Sequence, residues 1–255
     1  MTNAPSTATA DPVLILLHGA GANHAMWNAV RRHLDPRWRV VALDLPGHGS
    51  RGDDHYTVEG AVELVRAEVR RLAPAPVVLV GDSLGGYTSI AAARVLAPDR
   101  LAGLAVGGCT QQIQGKVLRG LRSRKIVMRV MGALLGARRL AARSGDALVK
   151  KGIRRDDVDA MIAAGLHLRA WGEAVDSLAD RDTLSQVRDL HAPILFINGD
   201  KDDGPVSQEA AFVAAAQDAR VARFPCEHGV SLWLPADFAG AVNRFVETLA
   251  PRAAA

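Results

Sequence analysis

The apolar run Val77-Val78-Leu79-Val80 breaks at Gly81-Asp82-Ser83-Leu84-Gly85 and gives way at once to the helix-compatible stretch 88–93. A strand that passes straight into a helix needs a sharp turn, with Ser83 exposed at its apex on a strained backbone. Glycine is demanded at 81 and 85 because a Cβ at either place would collide with the neighbouring strand or helix. The helix beyond Ser83 points free N–H groups and its positive dipole end at the serine oxygen, which favours negative charge there. Gly-x-Ser-x-Gly alone describes many tight turns. Between this strand and this helix, it makes Ser83 the candidate nucleophile.

A serine hydroxyl is a weak nucleophile, so a base and an oxyanion site must lie elsewhere. The buried-strand run Val13-Leu14-Ile15-Leu16-Leu17 ends in His18-Gly19-Ala20-Gly21, where small residues let backbone N–H groups approach a substrate oxygen. The N–H groups of Ala20 and Leu84 are paired here as the oxyanion hole, and His18 is read as a loop-orienting residue rather than a base. A third run, Pro193-Ile194-Leu195-Phe196-Ile197, opens into Asn198-Gly199-Asp200-Lys201-Asp202-Asp203. A helical stretch, 207–217, and a short strand, 219–224, then lead to Cys226-Glu227-His228. The order is therefore Ser83, an Asp near 202 and His228, each just past a strand.

At this point the chain resembles the α/β-hydrolase family. The resemblance runs from Pro12 to Leu249 and rests on the His18-Gly19 strand end, Asp44-Leu45-Pro46-Gly47-His48-Gly49-Ser50, the elbow at 81–86, Gly199-Asp200-Lys201-Asp202 and Glu227-His228. It implies a mostly parallel central sheet with helices on both faces, a Ser-Asp-His triad at the carboxyl ends of the strands, and no cofactor. Asp202 holds the family's Gly-x-x-Asp position, with Asp200 and Asp203 as solvated or turn-capping alternatives one or two residues away. Asp82, before the nucleophile, departs from the histidine of many members, and a carboxylate there opposes negative charge at the oxyanion unless it is paired or turned away. A serine nucleophile separates the chain from haloalkane dehalogenases and epoxide hydrolases, which attack with aspartate.

At 255 residues and 49% hydrophobic, the chain can bury one large α/β core. Residues 1–12 read as a frayed terminus, 13–110 and 191–250 as the hydrolase core, and 111–190 as a helical cap inserted between the strands near 106 and 193. Charge is uneven: between Gln111 and Arg155 thirteen Lys and Arg face a single acid, Asp146, although the whole chain is only +4. Val117, Leu118, Leu121, Ile126, Val127, Val130, Met131, Leu134 and Leu135 recur there at helical intervals, so the segment reads as a basic amphipathic helix over a buried apolar stripe. Such a face suits a solvated surface, an anionic membrane, or steering of an anionic substrate. It has no interleaved aromatics, which argues against nucleic acid.

Cys109 and Cys226 form neither a metal-ligand spacing nor a disulfide framework, and the remaining histidines show no paired ligand spacing, so no metal is expected. Residues 1–12 lack a secretion signal and nothing reaches the length of a membrane span, which points to a soluble cytoplasmic protein. Trp27, Trp171 and Trp233 are the aromatic candidates for the substrate pocket, and His48 for a structural hydrogen bond. The expected function is hydrolysis of a small-molecule carboxylic ester or thioester through an acyl-enzyme. Carbon–carbon bond hydrolysis, lactone opening and acyl transfer use the same triad, and a ligand-binding receptor is the non-enzyme alternative.

Overall fold

The computed structural model describes residues 11–249 of the chain. The expected frayed terminus, apart from Asp11 and Pro12, lies outside the described residues. In chain order the elements are β1 (Val13–Leu17), α1 (Asn28–Arg31), β2 (Val40–Leu43), α2 (Val58–Arg71), β3 (Val77–Asp82), α3 (Leu84–Ala93), β4 (Leu101–Gly107), α4 (Gly115–Leu135), α5 (Ala137–Lys150), α6 (Arg155–Ala163), α7 (Leu168–Leu178), α8 (Thr183–Arg188), β5 (Ile194–Gly199), α9 (Asp203–Ala215), β6 (Ala219–Phe224), α10 (Val230–Trp233) and α11 (Pro235–Leu249). The six strands form one sheet in the order β2-β1-β3-β4-β5-β6, every neighbouring pair parallel.

Parallel strands covered on both faces are apolar on both, which is why β1, β3 and β5 appear in the sequence as runs rather than alternations. Val13, Ile15, Leu17, Leu79 and Phe196 join α2, α3 and α9 in one apolar cluster. Leu14, Leu16, Val78, Val80 and Ile197 turn to the other face and meet Trp27, Phe238, Val242 and Phe245. Fully burying one large apolar side chain contributes about 1.5–3 kcal/mol. α2 illustrates the local logic: Thr57 caps it by accepting the Gly60 N–H at 3.0 Å, while Val58, Ala61, Val65 and Val69 make its buried stripe.

The chain runs from β1 outward to β2, then returns past β1 to β3. Where strand order reverses in this way, the loops leaving β1 and β3 part and open a crevice at the carboxyl ends of the strands. Ser83 and His18 both lie at that end.

The helices α4 to α8 enter between β4 and β5. They do not form one separate body. Leu118, Ala174, Val175 and Leu178 share the apolar cluster of the sheet, and α6 adds a small cluster in which Val158 and Met161 meet Ala25 and Met26. Asn23 ties α6 down by donating to the carbonyls of Met161 at 2.8 Å and Gly165 at 2.9 Å, and Arg32 pairs with Asp157 through both guanidinium nitrogens. α8 packs on α3 and α9, with Val187 in the sheet's cluster. The single buried stripe expected along α4 also divides. Leu118 is buried and Leu121 half-buried, while Ile126, Val127 and Val130 are 64%, 56% and 51% exposed. The reason is angular, because at about 100° per residue these three turn away from the side that Leu118 and Leu121 occupy. The side chains of Met131, Leu134 and Leu135 lie outside what is described.

A Cβ built on Gly85 would stand 1.8 Å from the Leu17 carbonyl oxygen, whereas one on Gly120, in the exposed middle of α4, meets nothing within 4 Å. Gly85→Ala is therefore expected to abolish soluble expression. Gly120→Ala should raise the protection of α4 amides from hydrogen exchange, in line with a gain of about 0.5–1 kcal/mol for glycine replaced within a helix.

Candidate active site

Ser83 occupies the tight turn between β3 and α3 with φ 52° and ψ −113°, a conformation costly for a residue bearing a side chain. Its neighbours hold it there. The Ser83 N–H donates to the Gly107 carbonyl at 2.8 Å, and a Cβ on Gly81 would fall 2.3 Å from the Gly85 carbonyl oxygen. α3 can thus cross close over the ends of β1 and β3, and the serine hydroxyl is thrust out of the sheet.

His228 approaches from the turn after β6. Its Nε2 lies 2.9 Å from Ser83 Oγ and its Nδ1 2.5 Å from Asp202 Oδ2. Of the three candidate acids it is thus Asp202 that meets the imidazole; Asp200 and Asp203 are exposed, the latter in the first turn of α9. The Trp233 indole N–H donates to the His228 carbonyl at 2.8 Å, and Gly108, with φ 58°, leaves room for the ring. Burial in the cavity wall pulls the imidazole's pKa down, but the Asp202 hydrogen bond and the Asp82 and Asp202 charges outweigh it, so His228 is more basic than an ordinary histidine.

The two histidines near the opposite wall are held differently. The Leu45 N–H donates to His18 Nε2 at 3.1 Å, so the proton is on Nδ1, where it faces the Gly19 carbonyl at 2.8 Å. Burial, reinforced by His48, drops its pKa to about 3. The Gly21 N–H donates to His48 Nε2 at 3.0 Å and His48 Nδ1 donates to the Pro46 carbonyl, while burial lowers its pKa too. With their acceptor nitrogens engaged, both rings fix loops and neither is free to act as a base. The loop carrying Ala20 is pinned from both sides. The N–H groups of Ala20 and Leu84 donate to no group among the described residues, and both residues line the same cavity as Ser83.

Asp82 loses its awkwardness here. Its carboxyl is buried, Ser231 Oγ is its hydrogen-bond partner, and its Oδ1 has none among the described residues. Burial raises its pKa more than His228 and Ser231 lower it. Burial thus disfavours a charge on this carboxyl, and Ser231 is its described partner. Asp44 shows the opposite outcome: burial pushes its pKa up, but N–H donors from His24 at 2.7 Å and Ser50 at 2.9 Å, with the Ser50 hydroxyl, bring it down to about 2.

The cavity above Ser83 measures about 340 Å³ and is mostly apolar, with Met26, Ile113, Leu121, Trp171, Val175 and Leu178 among its walls. Trp171 thus stands at the site. Trp27 does not: it is wholly buried against Phe238 on the other face of the sheet. Trp233 braces the His228 turn instead of lining the cavity. Sequence reasoning missed Ser231, Gln111 and Tyr87, which come from three separate segments and carry no spacing signal, and it gave Arg124 only as one of the thirteen cations of the basic segment. Among the described residues no cluster of His, Cys, Asp and Glu is arranged to hold a metal ion, and no helix is long and apolar enough to cross a membrane. Chemically, the arrangement can pass a hydroxyl proton to an imidazole backed by a carboxylate, beside two free N–H groups.

A family model described as the alpha/beta hydrolase family matches residues 14–245. Among curated proteins, the pimeloyl-[acyl-carrier protein] methyl ester esterase of Sodalis glossinidius is 39% identical over 100 residues, 39% of this chain and 37% of that protein. An esterase of Mycobacterium tuberculosis is 41% identical over 91 residues, 34% of this chain and 30% of that protein. The matches span about a third of the length of these relatives. Among solved structures, an esterase from Exiguobacterium antarcticum superposes with a TM-score of 0.77 at 16% identity, covering 92% of each chain. The enol-lactonase from Burkholderia xenovorans gives 0.70 at 19% identity, covering 96% of this chain and 93% of that one. At these identities the likeness is one of fold.

The reaction of Ser83 with a fluorophosphonate reads this geometry directly. Because the imidazole must be neutral to accept a proton and its pKa is raised, the rate should fall on the acid side with a midpoint above the ordinary 6.5. Asp202→Asn removes the main raising influence and leaves burial, so the midpoint should move down and the rate drop by about a thousandfold or more. Asp200→Asn and Asp203→Asn should change little. A large loss in Asp203→Asn instead would place the orienting carboxylate one residue on.

Proposed function

Because the chain belongs to the α/β-hydrolase family, we propose that it is a serine hydrolase cleaving a carboxylic ester or thioester through an acyl-enzyme. The observation that carries this reading is the unbroken hydrogen-bonded line from Asp202 through His228 to Ser83 at the floor of an apolar cavity. Ser83 Oγ attacks the carbonyl carbon as His228 Nε2 takes its proton, and the N–H groups of Ala20 and Leu84 receive the oxyanion. Collapse of the tetrahedral intermediate expels the alcohol or thiol, protonated by His228. Water activated by the same imidazole then releases the acid and restores Ser83. Asp202 holds the Nδ1 proton and offsets the imidazolium charge in both halves.

The curated relatives named as esterases agree with an ester substrate. The apolar walls suit an acyl chain. We read α4 to α7 as a cap over the cavity that governs substrate choice without taking part in the chemistry. Its thirteen cations between Gln111 and Arg155 give it a field that favours anionic substrates or an anionic membrane surface. The two unpaired, buried cysteines are in keeping with work in the cytoplasm.

A panel of 4-nitrophenyl esters and acyl thioesters of graded length, assayed with wild type, Ser83→Ala and His228→Ala, tests the reading. Each variant should fold and lose at least about a thousandfold in kcat, since members of such a triad act as a unit. Either variant keeping more than about a tenth of wild-type kcat would sink the assignment. A receptor that merely holds a ligand would turn over no ester and leave the fluorophosphonate unreacted.

A further inference from the structure

Among the described basic residues of the inserted helices, one lines the cavity. Arg124 lies on α4 three residues after Leu121, which puts the two on neighbouring parts of one helix face, and both border the space above Ser83. Arg124 is also exposed, so it stands where the cavity meets solvent. Most of the other polar side chains around that space are engaged. Ser83 and His228 belong to the hydrogen-bonded line, Asp82 bonds Ser231, and the Tyr87 hydroxyl donates to the Gln111 carbonyl at 2.7 Å. The amide of Gln111 and the indole N–H of Trp171 accompany Arg124 without a described partner.

Arg124 has no ion pair or hydrogen bond among the described residues, although acids are at hand for its neighbours. Lys125 pairs with Asp176, Arg155 with Asp146, Arg181 with Glu59, and Arg169 with Glu173. Among the described residues the cations at 119, 122 and 129 are also unpaired, but they are exposed and do not border the cavity. A guanidinium at the rim of an apolar chamber faces a low local dielectric on one side, so an anion placed there is held more firmly than one on an open surface. Its planar fork matches an oxyanion group through two parallel N–H bonds. Arg124 is also felt at the reaction centre: burial and the Arg124 cation are the influences that pull His228 down, against the lift from Asp202 and Asp82.

We propose that Arg124 is a specificity residue, and that the substrate is an ester or thioester bearing a second, anionic group of the carboxylate or phosphate class, bound at the cavity rim by the Arg124 guanidinium with the Gln111 amide beside it. This rests on the hydrolase reading above. It differs from long-range steering by the basic segment, since the contact is made by one residue and survives salt that screens a distant field.

The test compares charged and neutral ester pairs of matched shape at 0.3 M salt or thereabouts, where the Debye length is well under 10 Å. One arm carries the anion on the acyl side, monomethyl adipate against methyl hexanoate. The other carries it on the leaving side, 4-acetoxybenzoate against phenyl acetate. Wild type should favour the charged ester in one arm, which assigns the anion to that side. In that arm Arg124→Gln should lower the ratio of kcat/KM for charged over neutral ester by about tenfold, mainly through KM, as for loss of one charge-assisted contact at a rim. Arg124→Lys should recover part of it. Arg122→Gln, the same loss of charge at an exposed position that does not border the cavity, should leave the ratio as it is. If Arg124→Gln leaves the ratio unchanged in both arms, or Arg122→Gln lowers it equally, the proposal is overturned while ester hydrolysis stands. If wild type hydrolyses none of these esters nor the 4-nitrophenyl panel, the hydrolase reading falls and takes this one with it.

Discussion

The contact on which the site depends is between backbones. Gly85 passes so close to the Leu17 carbonyl that a methyl group has no place between them, and Gly81 has the same relation to Gly85 itself. Through these two approaches the end of β1, the turn at Ser83 and the first turn of α3 form one rigid joint. The positive φ of Ser83 costs of order 1–3 kcal/mol, and a marginally stable domain tolerates it because the surrounding sheet over-determines the turn. What the strain secures is direction. The hydroxyl and the Leu84 N–H are set by the fold rather than by flexible loops, with the Ala20 loop joined to them through His18 and His48.

Around that joint, similar groups differ by environment alone. Three histidines lie within the same end of the sheet, yet two have their acceptor nitrogens filled by backbone N–H groups and are held neutral, while the third keeps Nε2 for Ser83 and gains basicity from Asp202. The carboxylates divide in the same way. Asp44, surrounded by donors, is held charged, and Asp82, buried with a single hydroxyl, has its pKa raised. The sign of each shift follows from counting donors against burial.

Much of this was legible in the sequence because it is local. Buried parallel strands announce themselves as apolar runs, and the residues just past β1, β3, β5 and β6 are forced to one end of the sheet, so Ser83, His228 and an acid near 202 could be named without coordinates. The choice among Asp200, Asp202 and Asp203 needed either a family pattern or the turn itself, since a one-residue change of register alters which carboxylate points inward. What remained hidden depends on pairing between distant segments. Ser231 bonds Asp82 across 149 positions. Trp27 and Trp171 look alike as aromatic residues near a site, but one packs under the sheet and the other above it. The stripe along α4 was misread for the opposite reason, because helical spacing shows that residues recur without showing how many faces they share.

That divided helix has a consequence for how the protein can change over generations. The first half of α4 supplies walls of the cavity, while Ile126, Val127 and Val130 in its second half face water and are clasped by no core. None of the backbone approaches that set the elbow passes through it. Substitutions at these exposed positions can therefore accumulate at little cost to folding, whereas Leu118 and Leu121 on the inward side are held by the sheet's cluster and the cavity. A descendant of this gene could thus drift along the outer half of one helix while the joint at Ser83 stays as it is.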